Sequence, residues 1–240
     1  KSRRPPKRLG KGNKMNRYDR QISVAEFGVD GQKKLAAAKI LVVGAGGLAS
    51  PVLQYLAGAG LGHIKVMDYD IVSVNNMHRQ TIFRSDDFGL AKAGAAATNM
   101  RRLNPDCQMT PIIEPLTPDN IETHASDVDL VLDCADSFAV SYSLSDYCLN
   151  RLPLIHASVV GTAGYVGGFC YNAPSLRAVF PDLPQRFGSC AEDGVLGPIV
   201  GIIGSLQAQM TLAVITKQLS SPLGQLVTYD AIGNRFGGFR

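Results

Sequence analysis

Residues Ile40-Leu41-Val42-Val43 form an apolar run that stops at Gly44-Ala45-Gly46-Gly47 and passes into Leu48-Ala49-Ser50, where a helical pattern begins. A strand, a glycine turn and a helix start in that order predict the unit that opens a nucleotide-binding fold. The N–H groups of the helix N-terminus then face an anion. Gly44 suits the turn, Gly46 lets the backbone approach a phosphate, Gly47 continues the glycine cluster, and Ala49 is the small residue that permits close helix–strand packing. Asp68 ends the next apolar run, Ile64–Met67, where a carboxylate takes a ribose hydroxyl. This much fits a nicotinamide or flavin dehydrogenase as well as any other nucleotide enzyme.

The residues after Asp68 change the expectation. Asp70, Asn75, Asn76, Arg79, Gln80 and Lys92 follow within one short stretch. A dinucleotide site has little need of fixed cations there, whereas Arg79 and Lys92 are the residue types required where charge builds on a leaving pyrophosphate. Leu130-Val131-Leu132-Asp133-Cys134-Ala135-Asp136 is a second apolar run ending in carboxylates. At the carboxyl edge of a parallel sheet, Asp136 is placed to hold a magnesium ion that bridges phosphates. Together these residues point to ATP with magnesium.

In this order and spacing, several blocks of the chain resemble the ThiF/MoeB/HesA family, the bacterial relatives of ubiquitin-activating enzymes. They are Arg17-Tyr18-Asp19-Arg20-Gln21, the Gly44–Leu48 turn, Asp68-x-Asp70-x-Val72, Asn76-x-x-Arg79-Gln80, Gly89-x-x-Lys92, Leu103-Asn104-Pro105, Asp133-Cys134-x-Asp136 and Ser189-Cys190-Ala191-Glu192-x-Gly194 with Val195-Leu196-Gly197-Pro198. The resemblance runs from about Arg17 to the C-terminus. It implies adenylation of the C-terminal glycine carboxylate of a ubiquitin-fold sulfur carrier protein, for thiamine or molybdopterin synthesis. It makes Asp68 the ribose acid, Asn76 and Arg79 phosphate-site residues, Lys92 the lysine that stabilises the α-phosphate, and Asp136 the magnesium-binding or catalytic acid. Arg20 becomes an arginine that reaches the phosphates of the neighbouring subunit, so the implied working unit is a homodimer.

The chain departs from the family at two places. Ser137 follows Asp136 where the family often has Asn. Ser175 and Ala178 stand where many relatives carry the first Cys-x-x-Cys pair of a structural zinc site, and Arg240 is reached before a second pair. No zinc is therefore expected. Five scattered cysteines without disulfide-like spacing read as an intracellular set. Cys107, Cys134, Cys148 and Cys170 have apolar or small neighbours and read as packing residues. Cys190 sits in a Gly/Ser loop. By the resemblance it is the cysteine that links covalently to the activated carrier in the thiamine branch, while the molybdopterin branch works by adenylation alone.

Residues 1–14 hold seven Lys/Arg and no acid, leaving 17 basic against 20 acidic residues in the remainder. This reads as a flexible basic arm ahead of an adenylation domain over 15–240. The arm has neither interleaved aromatics nor a nucleic-acid module behind it, so nucleic acid is not an expected partner. It lacks the apolar stretch of a secretory signal. The most apolar region, Val195–Leu219, contains Pro198, Gly201, Gly204, Gln207, Gln209 and Lys217. It is read as a buried loop followed by a core helix over 205–219, with no membrane span and a cytoplasmic location. The pattern predicts helix through 18–38, 48–59, 90–103 and 138–149, and strand at 40–43, 64–67, 109–113, 129–132 and 153–158. After Gly161 the period turns to two, and a last strand is expected at 225–229. The expected fold is α/β: a Rossmann-like, doubly wound, mostly parallel sheet with an antiparallel C-terminal extension, over which the carrier docks.

The resulting reading is an ATP-dependent adenylyltransferase with Lys92, Arg79, Arg20, Asp136 and Cys190 as chemical residues. A separate sulfur donor protein is a further expected partner. Adenylation of a peptide or other small carboxylate, an NAD-dependent oxidoreductase, and a scaffold that has lost catalysis are the competing expectations.

Overall fold

The computed structural model describes residues 17–182 and 194–239. Eight strands form one sheet in the order β3-β2-β1-β4-β5-β6-β7-β8. The strands are β1 (Lys39–Val43), β2 (His63–Met67), β3 (Gln108–Ile112), β4 (Leu130–Asp133), β5 (Leu154–Val160), β6 (Ala163–Phe169), β7 (Leu226–Asp230) and β8 (Arg235–Phe239). The first five are parallel and the last three antiparallel, so the expected mostly parallel sheet with its extension is observed. The helices are α1 (Asp19–Ile22), α2 (Gly28–Ala37), α3 (Ala49–Gly58), α4 (Lys92–Leu103), α5 (Ile121–Ala125), α6 (Phe138–Cys148), α7 (Leu176–Val179) and α8 (Gly197–Thr216).

Side-chain alternation along the central strands builds two cores. Ile40, Val42, Ile64, Val66, Leu130 and Leu132 face one side and pack with residues of α3, α4 and α8. Leu41, Val43, Met67 and Val131 face the other side with Tyr142, Leu144 and Leu176. Burial on both faces explains why these strands read as continuous apolar runs in the sequence. In contrast, β8 is exposed along its whole length.

Three details differ from the sequence expectation. The helix read through 18–38 is broken between α1 and α2, where Gly28 takes φ +61°. The helix placed at 205–219 begins eight residues earlier, at Gly197, and the loop expected there is its first two turns. Pro198 lies in the first turn, where its fixed φ favours a helix start. Gly204 permits close packing, since a Cβ on it would stand 2.5 Å from the Leu48 carbonyl oxygen. The strand at 225–229 is β7, and it is followed by β8, which forms a hairpin with it through Asn234 at φ +47°. By length and composition α8 is the one described helix that could cross a membrane. Here it packs on α3, β5 and β6, and its buried Gln207 amide donates to the carbonyls of Asp133 at 2.8 Å and Ile155 at 3.0 Å.

At the amino edge of the sheet, Asp127 takes the ammonium groups of Lys39 and Lys65. Those hydrogen bonds, Lys39 first, hold its carboxyl down at about 2. A depressed carboxyl pKa contributes stability above its unfolded value near 4 and loses it as pH falls toward 2. Because the group is half exposed and solvent-screened, Asp127→Asn is expected to lower stability by about 0.5–1 kcal/mol at pH 7. Urea melts of both proteins should converge as pH drops from 4 toward 2; a difference that grew there would contradict the assignment.

Candidate active site

The chain enters the sheet at β1, moves outward to β2 and β3, then crosses back to β4 on the other side of β1. Such a reversal opens a crevice at the carboxyl ends of the strands. A cavity of about 980 Å³ occupies it. Its floor is the glycine turn. Gly44 adopts φ +91°, and a Cβ on it would stand 2.6 Å from the Cys134 carbonyl oxygen. Only glycine meets both conditions. Gly46 and Gly47 line the cavity at the start of α3, whose N-terminus carries no side-chain cap. The orphan N–H groups of that first turn suit an anion. Gly44→Ala is expected to destabilise the chain by about 2–4 kcal/mol, combining backbone strain with the clash. Gly94→Ala is the control, because a Cβ there meets nothing within 4 Å. Equal urea midpoints for the two variants would remove the special role of Gly44.

Asp68 ties the turn to β2: its carboxylate accepts the amides of Ala45 at 2.7 Å and Asp70 at 2.8 Å. Burial pushes its pKa up, and the two amides and Lys92 oppose that shift. The next segment winds a short turn over Val74–Asn76, whose Asn76 carbonyl accepts the amides of Arg79 at 3.1 Å and Gln80 at 2.9 Å. This aims both side chains at the cavity, and Asn75 and Asn76 line it beside them. Arg79 has no carboxylate partner among the described residues. Gln80 is 3 % exposed, and its Oε1 is the one buried side-chain polar atom without a hydrogen bond among the described residues. A buried acceptor left unsatisfied costs about 1–3 kcal/mol, which a ligand donor would relieve.

Lys92 opens α4 from within the wall. Its amide donates to the Asp70 carbonyl at 2.8 Å, and its ammonium pairs with the Asp70 carboxylate at 2.8 Å. Asp70, expected among the nucleotide ligands, is therefore the counter-ion of Lys92 in this structure. Asp136 lines the same cavity, exposed and without an ion-pair partner among the described residues. An open carboxylate with room for water around it suits a magnesium ion, which keeps most of its hydration shell. Ser137 lines the cavity beside it.

One predicted residue, Arg20, lies elsewhere. Cys190 is outside the described residues, as is the basic arm. Arg20 is exposed on α1 and does not line the cavity. Its helix is anchored at the far end of α3, where Gln21 donates to the Ala59 carbonyl at 3.0 Å and Tyr18 accepts from Asn104 at 2.9 Å. The ten residues of α3 separate that end from the glycine turn by about 15 Å, longer than an arginine side chain.

Ser175 and Ala178 hold their turn without thiolates. Ser175 Oγ accepts the Ala178 amide at 3.2 Å, and Arg177 clasps Asp146 through three bonds of 2.8, 2.9 and 3.1 Å. Among the described residues no three His, Cys, Asp or Glu side chains gather as metal ligands. Sequence reasoning missed His156, which lines the cavity against a fully buried Asp133. Its partner is 23 residues away on the neighbouring strand, a separation that no local spacing in the sequence signals.

A sequence profile of the ThiF family matches residues 18–240. The chain belongs to the ThiF family. This ThiF-family chain is 42 % identical over 204 residues to the adenylyltransferase and sulfurtransferase UBA4 of Yarrowia lipolytica, covering 83 % of this chain and 51 % of that protein. It is 35 % identical over 225 residues to the SAMP-activating enzyme E1 of Haloferax volcanii, covering 92 % of this chain and 83 % of that one. The chain spans about half the length of the adenylyltransferase and sulfurtransferase relatives it matches. Its fold is that of the E. coli MccB crystal structure with ATP, at TM-score 0.82 and 22 % identity over 95 % of this chain and 72 % of that one.

Proposed function

We propose that this chain is an ATP-dependent adenylyltransferase that converts the C-terminal glycine carboxylate of a ubiquitin-fold sulfur carrier protein to an acyl-adenylate. The observation that carries the reading is the gathering of Arg79, Lys92, Asp136 and the unsatisfied Gln80 around one crevice beside the glycine turn. The printed functions of the relatives, adenylyltransferase and SAMP-activating enzyme, favour the same chemistry. The glycine turn and Asp68 take the nucleotide, while Arg79 and Lys92 neutralise the triphosphate. A magnesium ion held by Asp136 supplies further charge neutralisation when bound.

The carrier carboxylate is ionised at neutral pH, so no protein base is required. Its oxygen attacks the α-phosphorus, the bond to the bridging oxygen of pyrophosphate breaks, and pyrophosphate leaves with the electron pair. Positioning and preorganised charge lower the barrier. Lys92 must exchange its Asp70 contact for phosphate, and Asp70 keeps the ammonium aimed until then. A sulfur nucleophile from a separate donor protein, or the Cys190 thiolate, then attacks the acyl carbon, and the bond to the adenylate oxygen breaks with AMP leaving, in thiamine or molybdopterin type transfer within the cytoplasm.

Purified protein mixed with ubiquitin-fold carriers ending in glycine should catalyse carrier-dependent exchange of pyrophosphate into ATP. Exchange that ignores the carrier, or hydride transfer from NADH, would overturn the reading. The protein is also proposed to need no structural zinc. Elemental analysis should find well under one zinc per chain, and chelator should leave the thermal midpoint unchanged, because a structural site would contribute on the order of 10 kcal/mol.

A further inference from the structure

The reaction described above makes no use of the buried pair Asp133 and His156. Asp133 ends β4 with no solvent exposure, and His156 lies in β5 at 1 %. The parallel register sets the two side by side. His156 Nδ1 stands 2.7 Å from Asp133 Oδ2, and its Nε2 stands 3.0 Å from the Tyr165 hydroxyl. The other carboxylate oxygen, Oδ1, accepts the Ala135 amide at 3.0 Å. Ala135 directly precedes Asp136. A single hydrogen-bonded chain therefore runs from Tyr165 on the antiparallel extension, through His156 and Asp133, to the turn that carries Asp136.

We propose that His156 is a positioning residue for Asp136. Both ring nitrogens are engaged, so the imidazole has no free site to offer a ligand although it lines the cavity. What it can do is hold Asp133. A carboxylate shut away from water keeps a defined orientation only while its oxygens are hydrogen-bonded. Loss of the histidine frees the carboxylate to turn, and the Ala135 amide loses its acceptor. Gln207 holds the same turn from the other face through the Asp133 carbonyl, so the backbone survives while the Asp136 carboxylate loses its fixed aim. Tyr165 orients the imidazole, which makes the geometry at Asp136 sensitive to the extension where the carrier is proposed to dock.

The role given to Asp136 rests on the adenylyltransferase reading, so the test has one arm that does not. In ligand-free protein, hydrogen exchange of the Ala135 amide is measured by NMR for wild type, His156→Leu and His156→Asn. Leucine removes both bonds; asparagine retains a donor near the Nδ1 position. The expected result is exchange at least tenfold faster in the leucine variant and within threefold of wild type in the asparagine variant. In the second arm, the magnesium concentration for half-maximal carrier-dependent pyrophosphate exchange should rise at least tenfold in His156→Leu and recover in His156→Asn. Unchanged Ala135 protection in His156→Leu, or equal loss in both variants, overturns the proposal. Should the leucine variant fail to fold, Tyr165→Phe supplies the measurement: Ala135 exchange is expected to quicken two- to fivefold, and no change overturns the proposal. Absence of carrier-dependent exchange in wild type would sink the adenylyltransferase reading alone and leave the amide result to decide this one.

Discussion

Lys92→Ala and Asp136→Ala should each lower carrier-dependent pyrophosphate exchange by roughly a hundredfold or more, with the fold intact. The expectation follows from where the two charges sit. Lys92 is buried at the start of α4 and lines the cavity, and Asp136 lines the same space. One preorganised electrostatic contact in a water-poor site is worth about 3–4 kcal/mol to the transition state. The two variants should fail differently. Asp136 is exposed, so its loss costs little stability, and added magnesium should recover part of the rate. Removing Lys92 leaves Asp70 without its partner, but that carboxylate is about half exposed and water can replace the ammonium. Thermal melts should therefore stay within a few degrees of wild type for both. Exchange near the wild-type rate in both variants would end the site assignment.

Mixing Arg20→Ala with Lys92→Ala, each nearly inactive alone, should restore up to about a quarter of wild-type exchange once subunits have mixed, the share expected for one intact site in each mixed dimer. The basis is distance. Arg20 is tied by Tyr18 and Gln21 to the end of α3 that is opposite the glycine turn. An arginine in that place serves a phosphate site only if the site belongs to another copy. In the mixed dimer one cavity receives both defects, while the other keeps Lys92 and is offered an intact Arg20. Demonstrated mixed dimers with no recovered activity would show that sites are not shared. Sedimentation of the wild type as a monomer under assay conditions would exclude the arrangement outright.

The glycine turn, Asp68 and the cavity-lining residues of the 68–92 stretch were legible in the sequence because each answers a local requirement. A φ of +91° with a neighbouring carbonyl 2.6 Å from any Cβ can be met only by glycine. A strand buried on both faces must be written as an unbroken apolar run. The antiparallel extension announced itself by its period of two. What could not be read locally was how segments meet. Pro198, Gly201 and Gly204 looked like breaks in the last helix. In the fold, the proline starts the helix and Gly204 lets it press against the Leu48 carbonyl. The strand β8 escaped because its exposed Arg235-Phe236-Gly237-Gly238-Phe239 run has weak strand chemistry and is held by pairing to β7.

The same division holds within the site. Residue type and order in the sequence named the charges: Asp68, Arg79, Lys92 and Asp136. Only the tertiary structure decided which of them lie together, that Asp70 serves Lys92, that Gln80 is buried with an unmet acceptor, and that Arg20 stands away from its own cavity. It alone joined Asp133 to His156, across the β4–β5 register. The physical reason is that backbone conformation and strand burial are set by neighbours in the chain. The environment of a charge is set by whatever the sheet order brings beside it, and that order is a property of the whole packed chain.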